Sequence, residues 1–334
     1  MKVLFILAGD RNKASSRVRG YWVAEEMVRL GHHCSLMTNN SRWSLLKLFL
    51  SALSFDVVIF QKNYGRYHLL LLIWLRIFGK RVFLDIDDAP SRVNKASTLR
   101  NFQIMVSFST KVFCGSNNLL RYVNSIRKNK AILIPTSVKL ENYNPQDTRN
   151  NKVCIGWVGN GKHYSEDLVG LLIEPLKRLS AIYDLRLKII GACGVKYLYE
   201  EFGRIVNLEL DFIDNINWSE DQAVGLSLSD IDIGVYPLID NDFNSFKCGF
   251  KALEYAAMKI PVVSSPSHSN LDVIKPDKTG FIACSPEEWL QALEELIIDK
   301  EKRIKIGNQA YDNVLANFSI SSTTRILVEI ISQD

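Results

Sequence analysis

Residues 141–162 read ENYNPQDTRNNKVCIGWVGNGK, and the way this stretch breaks decides how the chain divides. Its first part, 141–152, is polar, contains Pro145 and has no apolar period, so it reads as a linker. From Lys152 the run KVCIGWVG reads as a strand that closes on the glycine turn at Gly159. Upstream, the same kind of short β-rich run recurs: KVLFIL from Lys2, CSLMT, DVVIFQ, RVFLDID, KVFCGS and AILIP, with a helical pattern over about 15–30 that Gly31 closes. Downstream the rhythm restarts with LRLKIIGA, LELDFI, DIDIGVYP, PVVSSP and GFIAC. Strands alternating with helix-length segments argue for βαβ units and parallel sheets, here two in succession. The expected domains are 1–148 and 149–316, with a final helix over 317–334 that packs back on the first domain. In such sheets ligands bind beyond the carboxyl ends of the strands, which directs attention to the residues just after each run.

Composition bounds the alternatives. The chain has 334 residues, 47% of them hydrophobic, enough for two real cores. MKVLFILA at the start resembles a signal peptide, but the run ends by Asp10 without a cleavage site, and it reads as a first strand. No stretch reaches the roughly 20 apolar residues of a membrane span. Six cysteines without CxxC spacing are expected to be reduced core thiols, which points to the cytoplasm. Residues 1–150 hold 23 Lys and Arg against 9 Asp and Glu, while residues 151–334 hold 18 against 27. The basic half implies an acidic partner, an anionic membrane or a phosphorylated ligand; no nucleic-acid motif accompanies it. Two apolar, cation-flanked segments, 42–49 and 67–81, read either as sheet-covering helices or as elements resting on an anionic membrane.

The motif with most chemistry is Lys247-Cys-Gly249-Phe250-Lys251-Ala-Leu-Glu254-Tyr-Ala-Ala-Met-Lys-Ile-Pro261-Val-Val. A glycine loop opens a helix there, and lysines at a helix N-terminus oppose its dipole unless an anion meets them. Lys247, Lys251 and the backbone around Gly249 and Phe250 suit a diphosphate, and Glu254, about one turn on, suits two ribose hydroxyls. A solvated amphipathic helix fits the same residues. Gly159, Asn160 and Lys162 form a glycine turn that lets a phosphate or sugar approach, or merely ends a strand. Arg17 and Arg19 lie in the first turns of the first helix, facing a phosphate or simply solvent. Asp87 and Asp88 end a strand and read as acceptor-side carboxylates or solvated acids. His68 and the His32-His33 pair read as structural.

The 247–263 segment closely resembles the donor-binding segment of retaining glycosyltransferases of family 4 (group 1), especially a bacterial branch with K-C-x-x-K-x-L-E-Y-x-A-x-x-x-P-V-V. Ile155-Gly-Trp-Val-Gly-Asn-Gly-Lys162 and Ser229-Asp-Ile-Asp-Ile-Gly-Val-Tyr-Pro237 resemble that family's donor loop and the strand leading to it. The resemblance implies a GT-B fold, two Rossmann-like domains whose parallel sheets face a central cleft, and a metal-independent transfer that retains anomeric configuration. It implies a UDP or GDP sugar as donor and a glycan or lipid-linked acceptor, in bacterial cell-surface polysaccharide synthesis. It makes Lys247, Lys251, Arg17 and Asp87 the catalytic candidates. Gly159, Asn160, Lys162, Lys247, Gly249, Phe250, Lys251 and Glu254 are the donor contacts, and Arg17, Arg19, Asp87 and Asp88 the acceptor side. No cofactor or metal is expected. The family's first glutamate is replaced by Phe246, and no first-domain histidine stands at its usual place. Those two departures keep open a non-catalytic nucleotide-sugar-binding subunit or a GT-B nucleotide-sugar epimerase. A dehydrogenase lacks its GxGxxG here.

Overall fold

Strands that are apolar end to end, rather than alternating, build parallel sheets covered on both faces, and this chain has two. The computed structural model describes residues 1–38, 45–90, 96–145, 152–241 and 244–333. The first sheet comprises β1 (Lys2–Leu7), β2 (His33–Thr38), β3 (Val57–Gln61), β4 (Arg81–Ile86), β5 (Lys111–Cys114) and β6 (Ala131–Leu133), in the order β2-β1-β3-β4-β5-β6. The second comprises β7 (Val153–Val158), β8 (Leu185–Ile190), β9 (Leu208–Ile213), β10 (Ile233–Tyr236), β11 (Val262–Ser264) and β12 (Phe281–Ile282), in the order β12-β11-β10-β7-β8-β9. Every pairing is parallel. Strand order reverses between β1 and β3 in one sheet and between β7 and β10 in the other, and those switch points are where a doubly wound sheet opens a crevice.

The chain forms two units, Met1–Ser137 with Phe246–Cys248 and Phe318–Asp334, and Val138–Ser245 with Gly249–Asn317. The final helix, Ile320–Gln333, thus belongs to the first unit, where Arg81 Nη1 donates to Ile331 O at 2.7 Å. Residues 146–151 of the linker segment, and 42–44 of the first cation-flanked segment, fall outside the described residues. The second such segment forms the helix Arg66–Ile77. Leu71, Leu72 and Leu75 bury one face of it in the core, while Tyr67, Leu70 and Ile77 stay exposed, as does Phe78 just beyond it. None of the described helices is long and apolar enough to cross a membrane.

Two local features position functional residues. The helix after β1 contains a π turn, Arg17–Tyr21, whose extra residue per turn carries Arg17 and Arg19 to the buried side. Gly20 lets that turn lie against β1, since a Cβ there would sit 2.4 Å from Leu7. In the second unit, Tyr255 of the helix Phe250–Ala257 reaches under β7 and β10. Its hydroxyl accepts from Val158 N at 3.1 Å, and its hydrogen faces Gly156 O at 3.1 Å and Val235 O at 3.2 Å. Its ring occupies the space beside Gly234, where a Cβ would stand 2.6 Å away.

Gly234→Ala should therefore destabilise the protein by about 1–3 kcal/mol through overpacking, read as a lower urea midpoint. An unchanged midpoint would show that the ring can move aside.

Candidate functional site

In the second unit the donor-type residues gather at the carboxyl ends of β7 and β10. Lys251 points back along the first turn of the helix Phe250–Ala257, with Nζ 4.1 Å from the Tyr164 ring centroid, 4.8 Å from that of Tyr236 and 5.6 Å from that of Trp157. Trp157 comes from β7, Tyr164 from the helix Gly161–Ser180 and Tyr236 from β10. Three ring faces surround its charge, and that charge also acts on the Asp167 carboxyl, whose pKa burial raises and Lys251 draws back down. The helix begins at Gly249 in the left-handed conformation, φ 62°, with no side-chain cap, leaving its N-terminal dipole beside the lysine. Phe250 opens it, half-buried.

Gly159 is what lets Lys251 pass. A Cβ at Gly159 would meet Lys251 Cε at 2.7 Å and the Trp157 ring at 2.6 Å. Asn160 caps the helix Gly161–Ser180, its Oδ1 accepting from Lys162 N at 3.1 Å, while the Lys162 side chain is exposed. Glu254 is buried, 6% exposed, and Tyr143 Oη donates to its Oε1 at 3.1 Å. Asp167, which carries no motif, holds the segment after β10: its Oδ1 accepts from Ile239 N at 2.7 Å and Asn244 Nδ2 at 2.9 Å.

In the first unit, charged groups collect where β1, β3 and β4 end. Arg19 is 5% exposed and its Nε donates to both oxygens of Asp85, at 2.6 and 2.9 Å, while Nη1 reaches Ile134 O at 3.0 Å. Arg19, read from the sequence as facing a phosphate or acceptor, is thus engaged inside its own unit, because the π turn rotates it inward. Arg17 is also buried, with Nη1 donating to Arg11 O at 3.1 Å. Lys62, just after β3, adopts φ 52°. Its Nζ lies 2.6 Å from Asp88 Oδ2 and 2.9 Å from Asp87 Oδ1, and Lys247 Nζ stands 3.8 Å from Asp88 Oδ1. Burial works against the Asp88 carboxylate, but Lys62 and Lys247 outweigh it and hold its pKa below the usual range. Burial likewise opposes the Lys62 charge, and Asp87 and Asp88 raise its pKa. Cys248 Sγ donates to Asp87 O at 2.7 Å, and burial pushes that thiol up. Phe246, at the position of the family's first glutamate, packs on Tyr122 with centroids 5.5 Å apart and on the apolar core of this unit. His68 is edge-on to Phe60, and burial lowers its pKa.

The structure therefore brings Lys251, Gly159, Gly249, Phe250 and Glu254 together in one unit. It groups Lys247, Asp87 and Asp88 in the other. The residues that sequence reading passed over are Lys62, Tyr143, Asp167 and the aromatic seat of Lys251. Only the positive φ at Lys62 marks it out as strained, and no sequence pattern reports that.

Residues 152–299 match the family described as glycosyl transferases group 1. No curated protein matches the chain. Among solved structures, the chain resembles Anabaena HepE in complex with UDP and glucose, over 100% of both chains, with a TM-score of 0.78 and 14% identity. It resembles a glycosyltransferase from Rickettsia africae over 99% of this chain and 98% of that one, with a TM-score of 0.77 and 15% identity. It resembles sucrose-phosphate synthase from Thermosynechococcus elongatus over 99% and 98%, with a TM-score of 0.77 and 13% identity. At such identities the likeness speaks for the fold, which is GT-B with two Rossmann-like sheets. The match over residues 152–299 supports glycosyltransferase activity.

Removing one partner of the Arg19–Asp85 pair strands the other. Burial already pushes the Asp85 carboxyl up to about 6 against the pull of Arg19. Arg19→Met should cost roughly 3–5 kcal/mol at pH 8. A folded-state pKa above the unfolded value makes a penalty that exists at high pH and disappears as pH falls through the folded pKa. The gap between wild type and variant should accordingly narrow from pH 8 to pH 5 in urea melts; a gap independent of pH would place the cost in lost packing.

Proposed function

We propose that this glycosyltransferase moves a sugar from a UDP or GDP donor to a glycan or lipid-linked acceptor, with retention of anomeric configuration and without a metal. The observation that carries the donor half is Lys251: a cation seated among three aromatic faces, beside an uncapped helix N-terminus, inside the stretch that matches the group 1 family. Such a group gains from an arriving diphosphate and costs little to hold ready, because its neighbours are already fixed. Lys251 and the helix terminus take the diphosphate and stabilise charge on the leaving nucleoside diphosphate. Glu254 accepts from the ribose hydroxyls, and Gly159, Asn160, Lys162, Gly249 and Phe250 border the donor. The presence of UDP in HepE favours a uridine base.

The acceptor falls to the first unit. Asp88, ionised between Lys62 and Lys247, and Asp87 beside it position the acceptor hydroxyl, and Arg17 in the same unit faces a phosphate of the acceptor. Arg19 acts through Asp85 rather than on the substrate. A lipid-linked acceptor in cell-surface polysaccharide synthesis draws on the basic first 150 residues and on exposed Tyr67, Leu70, Ile77 and Phe78, which suit the inner face of an anionic membrane. One observation favours a second reading, a subunit that binds nucleotide sugar without turning it over: an apolar, packed Phe246 stands where the family has a carboxylate. That reading predicts binding with no product from any acceptor.

Thermal stability measured with UDP, GDP, ADP and NAD tests the proposal. A ligand at 100 times its Kd contributes about 2.7 kcal/mol, a shift of several degrees. One nucleoside diphosphate should raise Tm in the wild type and fail to do so in Lys251→Ala and Glu254→Ala. A response to NAD alone, or to none of the four, would exclude a nucleotide-sugar donor.

A further inference from the structure

Glu254 binds ribose in the reading above, and the inference drawn here rests on that reading. A glutamate that accepts from two adjacent hydroxyls must present its carboxylate in one plane, and three side-chain torsions have to be frozen to do so. In this chain something other than ligand already freezes them. Tyr143 Oη donates to Glu254 Oε1 at 3.1 Å, and both residues are 6% exposed.

Tyr143 is itself fixed by backbone packing. It follows the 3-10 turn Leu140–Asn142, and its N–H donates to Leu140 O at 3.0 Å. The turn lies on the helix Ala223–Leu228 at Gly225, where a Cβ would meet Asn142 O at 2.5 Å and Tyr143 Cα at 3.3 Å. No larger residue at 225 would let Tyr143 come so close. A phenol bond to an ionised carboxylate is charge-assisted, and it occupies only one of the roughly four acceptor directions a carboxylate offers.

We infer that Tyr143 is a positioning residue for ribose recognition: it sets the plane of the Glu254 carboxylate, and so makes the site read a ribonucleoside diphosphate in preference to its 2′-deoxy form. The role is one of selectivity. Tyr143 adds nothing to the attraction for the diphosphate, which belongs to Lys251 and its helix.

Titration calorimetry on the full chain tests this with UDP, GDP, their 2′-deoxy counterparts and inorganic pyrophosphate. For whichever of UDP and GDP binds the wild type, Tyr143→Phe should raise Kd about tenfold, the worth of one hydrogen bond to a charged group. Pyrophosphate affinity should stay as it was, and the preference for ribose over deoxyribose should shrink by the same factor. In a Glu254→Ala background, Tyr143→Phe should change the preference no further, as a shared interaction requires. The inference is overturned if UDP and pyrophosphate weaken together, which marks a purely structural tyrosine, or if the ribose preference survives intact. If neither UDP nor GDP binds the wild type, it is the donor reading that falls, whatever Tyr143 does.

Discussion

One phenol holds the second unit in register. Tyr255 ties Val158 and Gly156 of β7 to Val235 of β10 across the switch point, and Gly234 is bare because the ring needs its place. Residues four apart share a helix face, so Lys251, one turn before Tyr255, must also turn toward the sheet. There it meets Trp157 and Tyr236, which end the same two strands. The seat of the lysine, the bare backbone at Gly159 and the burial of Glu254 all follow from where that ring is anchored. A buried hydroxyl with its bonds made is costly to disturb, so the arrangement persists whether or not a ligand is present.

The two sheets were legible because parallel strands buried on both faces write themselves as unbroken apolar runs. KVLFIL, DVVIFQ and KVCIGWV became β1, β3 and β7 almost residue for residue. The π turn at Arg17–Tyr21 was not legible, since a single extra residue in one turn leaves no trace in an apolar period. That turn decides where Arg19 goes, and hence why a residue that looks exposed in the sequence is paired with Asp85 in the interior. Lys62 was missed for a related reason. A lone lysine after a strand looks like a solvated end until its left-handed backbone and its two carboxylates are seen together.

Tyr143 shows the limit from the other side. Its segment, ENYNPQDTRNNK, is polar enough to read as pure connection, yet Asn142 and Tyr143 are buried and Tyr143 donates to the Glu254 carboxylate. Periodicity finds residues that face a core repeatedly. It is blind to a single aromatic residue inserted from a turn, and blind as well to Asp167, whose job of holding Ile239 and Asn244 depends on partners more than seventy positions away.

The division of the chain has a consequence for how the protein is made. Residues Phe246–Cys248 and Phe318–Asp334 belong to the same unit as Met1–Ser137, so that unit is discontinuous in the chain. Synthesis proceeds at about 5–20 residues per second, so the first unit waits on the order of ten seconds or more, after its last strand has emerged, for its closing helix. Through that interval β1–β6 must survive without the helix Ile320–Gln333, whose Ile331 carbonyl receives Arg81. The second unit, whose pieces Val138–Ser245 and Gly249–Asn317 emerge almost without a break, is the one able to finish first. A chain cut short near its end would leave the ribosome with its later half better formed than its earlier half, the reverse of the usual order.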